Sequence, residues 1–290
     1  MSTRGRQVAG TLYVLASSVC FATMAIFARM AYAAGVDVPT LLFLRFSSAA
    51  VLMWGLLLAK GLRPPRGRGL VMTLAMGAVG YAGQAFSFFT ALQYASAGLV
   101  ALLLYTYPAI VAILSRLVFR HPLTRLQVVA VGIALAGSVL VIGKAVDGQP
   151  LGIFFGLLAA FVYSVYILTG SRFPADVTPT ASTTIITSAA AVTYACVVAL
   201  HGFHPPATAA GWGAILAISV VCTVLAILFF FEGLDRIGPV KASITSTIEP
   251  VCTVILAAML LGETVTPVRI LGGALIVGAV LLLAREGAAD

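Results

Sequence analysis

Ten apolar stretches of about 20 residues each follow one another along this chain of 290 residues, and the segments between them are too short to fold separately. A helix needs about 20 apolar residues to cross a bilayer, because in hydrocarbon every backbone N–H and C=O must be satisfied within the segment. The stretches fall at about 8–29, 39–59, 69–92, 97–118, 126–143, 151–171, 180–200, 211–234, 240–261 and 268–285. Only 9% of residues are charged, against roughly 25% in a soluble domain, and mean hydropathy is +1.10. The expected fold class is an all-α membrane protein with ten transmembrane helices. The first stretch is longer than a signal-peptide core and lacks a clean cleavage pattern, so it is read as a mature helix.

A net charge of +8 raises the question of a nucleic-acid partner, and the placement of the charges answers it. With the amino terminus in the cytoplasm, thirteen basic residues lie on the inner side: Arg4, Arg6, Lys60, Arg63, Arg66, Arg68, Arg116, Arg120, Arg125, Arg172, Arg236, Lys241 and Arg285. Three lie outside (Arg29, Lys144 and Arg269), and Arg45 falls inside a helix. The excess of inner Lys and Arg expects both termini in the cytoplasm and assigns the basicity to topology, with the lipid bilayer and not nucleic acid as partner.

The chain repeats itself. A shift of 142 residues places Phe88 on Phe230, Phe89 on Phe231, Leu92 on Leu234, Pro108 on Pro250, Gly10 on Gly152 and Leu15 on Leu157; a shift of 141 places Gly132 on Gly273 and Gly137 on Gly278. Five helices per copy is an odd number, so the second copy must cross the membrane in the opposite sense. The reading is one transmembrane domain made of two inverted five-helix repeats, 1–145 and 146–290. Inverted repeats are an architecture of secondary transporters, in which the substrate sits near the midplane between the copies and the halves rock in alternating access.

Two positions near the bilayer centre carry the candidate site. Pro108 and Pro250, equivalent by the repeat, each lack an N–H and clash with the carbonyl four residues back, so both are read as helix hinges. Beside the second lies Glu249, whose repeat mate is Tyr107 and whose helical neighbours Thr245, Ser246, Cys252 and Thr253 are small and weakly polar. A buried acid costs about 2.5–3.5 kcal/mol on insertion scales, so it needs a reason to be there. It serves as a proton or ammonium site, as half of an ion pair with Arg45 or another donor, or as a neutral acid bonded to a hydroxyl. Arg45 has a carboxylate contact or an ion pair open to it, while its depth, two turns from the outer end of its helix, favours snorkelling to the interface. Phe21, Tyr81, Gln84, Phe88, Tyr105, Tyr107, Tyr163, Tyr166 and Ser246 complete the candidate pocket, since Tyr and Gln at mid-membrane need partners and so face inward. Gly77, Gly80, Gly83, Gly152 and Gly156 are read as sites of close helix packing.

Other chemistries find no support. The four cysteines (Cys20, Cys196, Cys222, Cys252) form no CxxC and no metal-ligand spacing, and there is no HExxH. GSVLVIGKA at 137–145 has the wrong spacing for a phosphate-binding loop. No paired catalytic groups occur, so the chain is read as a non-enzyme with no cofactor and no metal.

The stretch EPVCTVILAAMLLGE at 249–263 resembles the Glu-Pro start and Leu-Gly-Glu end of the ninth helix of EamA-type members of the drug/metabolite transporter superfamily, and LLFLRFSSAA at 41–50 resembles their second helix. The resemblance covers nearly the whole chain, with the nearest likeness to bacterial aromatic-amino-acid exporters. It departs at CFAT (20–23), where a Trp-Gly pair is common, and at FRHPLT (119–124), where a Leu-Gly-Glu-like turn is common. What it implies is a multi-pass carrier of the bacterial inner membrane that exports amino acids, aromatic and other neutral ones, or related small metabolites, with protons as a possible coupling partner. The alternative is an exporter of lipophilic cationic drugs, since an aromatic cage with one acid suits a cation as well.

Overall fold

In the computed structural model, residues 3–95, 97–119, 123–142, 148–261 and 266–286 are described; residues 120–122 of FRHPLT and the Gly-Glu of LLGE lie outside them. The helices are α1 (Thr3–Ala22), α2 (Met24–Ala33), α3 (Val38–Ala59), α4 (Gly67–Ala75), α5 (Ala82–Tyr94), α6 (Ala97–Leu104) and α7 (Tyr107–Phe119). They continue with α8 (Arg125–Ile142), α9 (Pro150–Gly170), α10 (Pro179–His201), α11 (Ala209–Ser219), α12 (Ala226–Ser246), α13 (Glu249–Leu261) and α14 (Pro267–Glu286). Wide π-helical turns, Met76–Tyr81 and Val220–Leu225, join α4 to α5 and α11 to α12. Among the described residues eight helical stretches are long and apolar enough to cross a membrane, and Pro267–Leu283 is a shorter apolar helix. One of the eight, Ala209–Ser246, runs through a turn at Gly238, which takes φ 75° ahead of Pro239 and so divides two of the apolar stretches.

The helix ends follow local chemistry. Asp37 caps α3 by accepting from the Thr40 N–H at 3.0 Å, and the Thr178 and Thr208 hydroxyls do the same for α10 and α11. Proline occupies the first turn of α3, α9 and α10, where its missing N–H has no helical acceptor to lose.

Packing follows the repeat. The principal neighbours are α1 with α12, α5 with α9, α3 with α10, and α8 with α14, each joining one half of the chain to the other. Moving 142 residues along the chain turns the first contact into the second. A Cβ on Gly10 would lie 2.7 Å from the Cβ of Arg236 and 2.6 Å from Ile237; one on Gly152 would lie 2.9 Å from the carbonyl carbon of Tyr94 and 2.7 Å from the Cβ of Ala95, the equivalent pair. Glycine is required at both because the helix backbones touch there. Gly77 and Gly156 are similarly crowded and Gly80 packs on Tyr166, whereas Gly83 faces open space, a correction to its reading as a packing residue.

Both prolines expected to bend mid-membrane helices instead stand in the first turn of a new helix. The chain breaks at Tyr105-Thr106 and again at Thr247-Ile248, so Pro108 and Pro250 are the second residues of α7 and α13. Proline strips the Leu104 and Ser246 carbonyls of their i+4 donors, and the chain resolves this by ending one helix and starting another. A further break at Thr23 separates α1 from α2, and its repeat equivalent, Val165, lies in the unbroken α9.

Adding one methyl group at the close approach tests the packing. Gly152→Ala is expected to cost about 1–3 kcal/mol through overpacking. Gly55→Ala, whose new Cβ meets nothing within 4 Å, should leave stability unchanged or raise it. Thermal unfolding of the detergent-solubilised protein distinguishes the pair.

Candidate functional site

The broken helices meet around a cavity of about 160 Å³. Its wall is formed by Phe21 and Met24 at the α1/α2 break, Arg45 of α3, Tyr81 at the end of the first π turn, Gln84, Ala85, Phe88 and Phe89 of α5, Ala101 and Leu104 of α6, Tyr105 in the break, Tyr163 of α9, and Glu249. The carboxyl-terminal end of α6 and the first residue of α13 are thus both on the wall. Half-helix ends carry partial charges and unpaired carbonyl or N–H groups, which is the means by which discontinuous membrane helices hold polar ligands.

Arg45 does not snorkel. It is only 4% exposed, and its guanidinium is enclosed. Nε donates to Thr223 Oγ1 at 2.7 Å, and Nη2 donates to the Tyr81 hydroxyl at 2.9 Å and to the Cys222 carbonyl at 3.2 Å. Nη1 points at the Met24 thioether at 3.2 Å. The Phe46 and Tyr81 rings lie 5.1 and 5.7 Å from the guanidinium carbon. Four polar partners and two rings replace the water that snorkelling would have sought. Two of those partners come from the second π turn and one from the end of the first, and a π turn is a local widening of the kind that frequently marks functional sites. The Thr223 hydroxyl is itself fixed by donating to the Ile218 carbonyl at 3.0 Å, and the Cys222 thiol lies 3.2 Å from the Thr23 hydroxyl at the α1/α2 break.

The Glu249–Arg45 ion pair, one of the three readings open from the sequence, does not form: among the described residues no carboxylate lies within 4 Å of the guanidinium, although both groups border the same cavity. Glu249 instead shares the cavity wall with Tyr105 and Tyr81.

Of the residues expected in the pocket, Phe21, Tyr81, Gln84, Phe88, Tyr105, Tyr163 and Glu249 are on the wall, with Arg45. Three stand behind it. The Tyr107 hydroxyl donates to the Ser243 carbonyl at 3.1 Å, tying α7 to α12, and Ser246 is buried at the end of α12. Tyr166 stacks on Tyr81, on Tyr163 and, tilted, on Phe231, with centroids 5.6, 6.2 and 5.8 Å apart. Its hydroxyl is buried without a hydrogen-bond partner.

Beyond this aromatic layer lies a second cavity of about 490 Å³ at one end of the bundle, walled by Phe231 and Leu234, the 171–177 loop, Gln127, Asp235 and Lys241. The chain of rings Tyr163, Tyr166, Phe231 and Phe173 runs from one cavity to the other. Thr223, Met24, Phe89 and Leu104 are not among the pocket residues expected from the sequence. A threonine or methionine in an apolar stretch has no periodic signal, and only the fold brings Thr223 to Arg45, 178 positions away.

A model of the EamA-like transporter family matches residues 8–143 and again residues 150–285, two segments offset by the same 142 residues as the internal repeat. The uncharacterized transporter YyaM of Bacillus subtilis is 29% identical over 248 residues, spanning 81% of this chain and 80% of that one. YcbK of the same organism, also an uncharacterized transporter, is 26% identical over 91% of this chain and 89% of its own. The uncharacterized inner membrane transporter YedA of Escherichia coli is 26% identical over 82% of this chain and 79% of its own. A crystal structure with 22% identity superposes with a TM-score of 0.84 over 94% of this chain and 97% of the other, a likeness of fold.

The Tyr81–Arg45 bond is measurable. Tyr81→Phe should cost about 1.5–3 kcal/mol because it removes a hydrogen bond to a buried charge. Tyr194→Phe, which removes a bond to the neutral Ala82 carbonyl, should cost about half as much. Melting temperatures of the two purified variants give the comparison.

Proposed function

We propose that this chain, which belongs to the EamA-like transporter family, is a secondary carrier that exports neutral amino acids or related small metabolites across the bacterial inner membrane. That membership makes it a membrane transporter and not an enzyme. The proposed architecture is ten crossings in two inverted halves, 1–145 and 146–290, with both termini in the cytoplasm as the basic residues favour. YedA, an inner membrane transporter, supports the same membrane for this chain.

The observation that carries the substrate reading is the central cavity. At about 160 Å³ it is about half the lower bound, near 300 Å³, of pockets that take drug-sized ligands, and it has a guanidinium on its wall. Both features speak against a lipophilic cation and favour a small ligand that carries a carboxylate. Aromatic walls from Phe21, Phe88, Tyr105 and Tyr163 suit an apolar side chain. Tyr107, Tyr166 and Ser246 act from behind the wall, as supports of the helix breaks.

Alternating access draws support from the two cavities and the ring layer between them. In this reading the larger cavity is the cytoplasmic entrance, the Tyr166–Phe231 contact is the closed gate, and the breaks before Pro108 and Pro250 are the hinges. A buried hydroxyl without a partner costs about 1–3 kcal/mol, and a second state in which Tyr166 finds one recovers it. Tyr166→Phe should therefore raise the melting temperature while slowing transport, because it stabilises this state alone. A variant that melts higher and transports at the parent rate would remove Tyr166 from the gate.

Flux into liposomes holding the purified protein tests the function. Saturable uptake of radiolabelled leucine, phenylalanine or threonine is expected, with no flux of a quaternary-ammonium dye; dye flux alone would replace this reading with a drug exporter. Glu249, the one acid among the described residues of the cavity wall, is the proposed proton site. Glu249→Gln should make the amino-acid flux that remains indifferent to a pH gradient, and an unchanged response takes the proton out of the mechanism.

A further inference from the structure

We infer that Arg45 is the anchor for the carboxylate of a zwitterionic ligand in the central cavity, with Glu249 receiving its ammonium group. The inference rests on the amino-acid reading above and goes beyond it by assigning the recognising atoms.

The argument begins with what Arg45 lacks. Its three directed bonds, to Thr223, Tyr81 and Cys222, all go to neutral oxygens, so the positive charge is solvated but not neutralised. Guanidinium has five N–H groups. Nε and Nη2 use three of them, while Nη1 has two and faces only the Met24 thioether, a weak acceptor. Nη1 is therefore the edge with donor capacity left over, and Arg45 borders the cavity. The Tyr81 hydroxyl accepts from Nη2 and keeps its own hydrogen, which gives the same region of wall a second donor.

Opposite charges in a low-dielectric cavity attract strongly, and two that merely balanced each other would be expected to touch. Arg45 and Glu249 do not: the first is held by the two π turns and the second by its place at the start of α13. A cavity with one fixed positive and one fixed negative group is complementary to a ligand bearing both charges. A monovalent cation satisfies only Glu249, and a simple carboxylate only Arg45. Fixing the guanidinium before the ligand arrives also lowers the ordering cost of binding.

Three compounds of one carbon skeleton separate the terms: leucine, isoamylamine, which lacks the carboxylate, and 4-methylpentanoate, which lacks the ammonium. Their affinities are read on the purified full-length protein by ligand-induced shifts in melting temperature and by competition with labelled leucine. Leucine is expected to bind about 100-fold more tightly than isoamylamine, as loss of hydrogen bonds to a buried charge implies. Arg45→Gln should close most of that gap while leaving isoamylamine binding unchanged. Isoamylamine within threefold of leucine on the parent protein overturns the anchor, and saturable leucine flux would then leave the amino-acid reading standing. Binding of 4-methylpentanoate without leucine keeps the anchor and ends the amino-acid reading. Binding of neither compound overturns both. Should Arg45→Gln not fold, the ratio on the parent protein and the Arg45→Lys variant, which keeps charge but loses the planar fork, decide the question.

Discussion

A guanidinium buried in the middle of a helix bundle sets the terms for everything around it. Arg45 is 4% exposed, so the fold must bring oxygens to its N–H groups. It does so by widening two helices into π turns. One ends at Tyr81, and the other presents the Thr223 hydroxyl and the Cys222 carbonyl. Those turns begin 144 residues apart, close to the repeat spacing, so the widening is a property of the repeat that Arg45 exploits on both sides. Phe46, itself fully buried, lies against Arg45, Tyr81 and Tyr194, and the cluster fixes α3 between the two halves.

The helix breaks share this logic of substitution. In hydrocarbon a broken helix exposes carbonyls that lipid cannot satisfy, so a break survives only where it borders protein or a polar cavity. Here the breaks at 105–106, 247–248 and 23 all lie beside the cavity, and side chains take over the backbone's lost bonds. Thr106 donates to the Leu103 carbonyl at 2.6 Å, Thr247 to that of Ile244 at 2.7 Å, and Thr23 to that of Cys20 at 2.8 Å. One short hydroxyl at each break performs the same task without being a repeat mate of another, since the 142-residue shift places Thr106 on Ile248 and Thr247 on Tyr105.

What could be read from the sequence divides along the same line. The apolar stretches, their spacing and the prolines are local features, and they mark the helices, the repeat and the neighbourhood of both paired breaks. The break at Thr23 left no signal, since CFAT contains neither Gly nor Pro. The π turns were illegible as well, because MGAVGY and VVCTVL read as ordinary apolar helix. Arg45 was misjudged for an instructive reason. Depth along its own helix allows an arginine to snorkel, but the decisive partners lie on helices far away in sequence, and no periodicity within one helix reports them. Glu249 alone is legible in the sequence as a costly buried charge, and its arrangement with Arg45 as neighbours on one wall that do not pair is a property of the folded cavity alone.

The charged residues stand where the symmetry fails. The repeat mate of Glu249 is Tyr107, and that of Arg45 is Thr187, whose hydroxyl turns back to the Thr183 carbonyl at 2.8 Å. Two identical halves would duplicate each charge, placing two guanidinium groups and two carboxylates around one axis, with like charges opposed across a small cavity. Keeping a single copy of each leaves a cavity with a positive and a negative side. A symmetric scaffold supplies two related ways to close, and its asymmetric residues give the enclosed space a direction. The alternating access proposed here requires the halves to remain alike in packing, as Gly10 and Gly152 are, while recognition requires them to differ at the few positions that face the cavity. Both demands are met in one chain because the glycines lie on the helix faces that pack, while Arg45 reaches from a regular helix to the two π turns and Glu249 stands at a break.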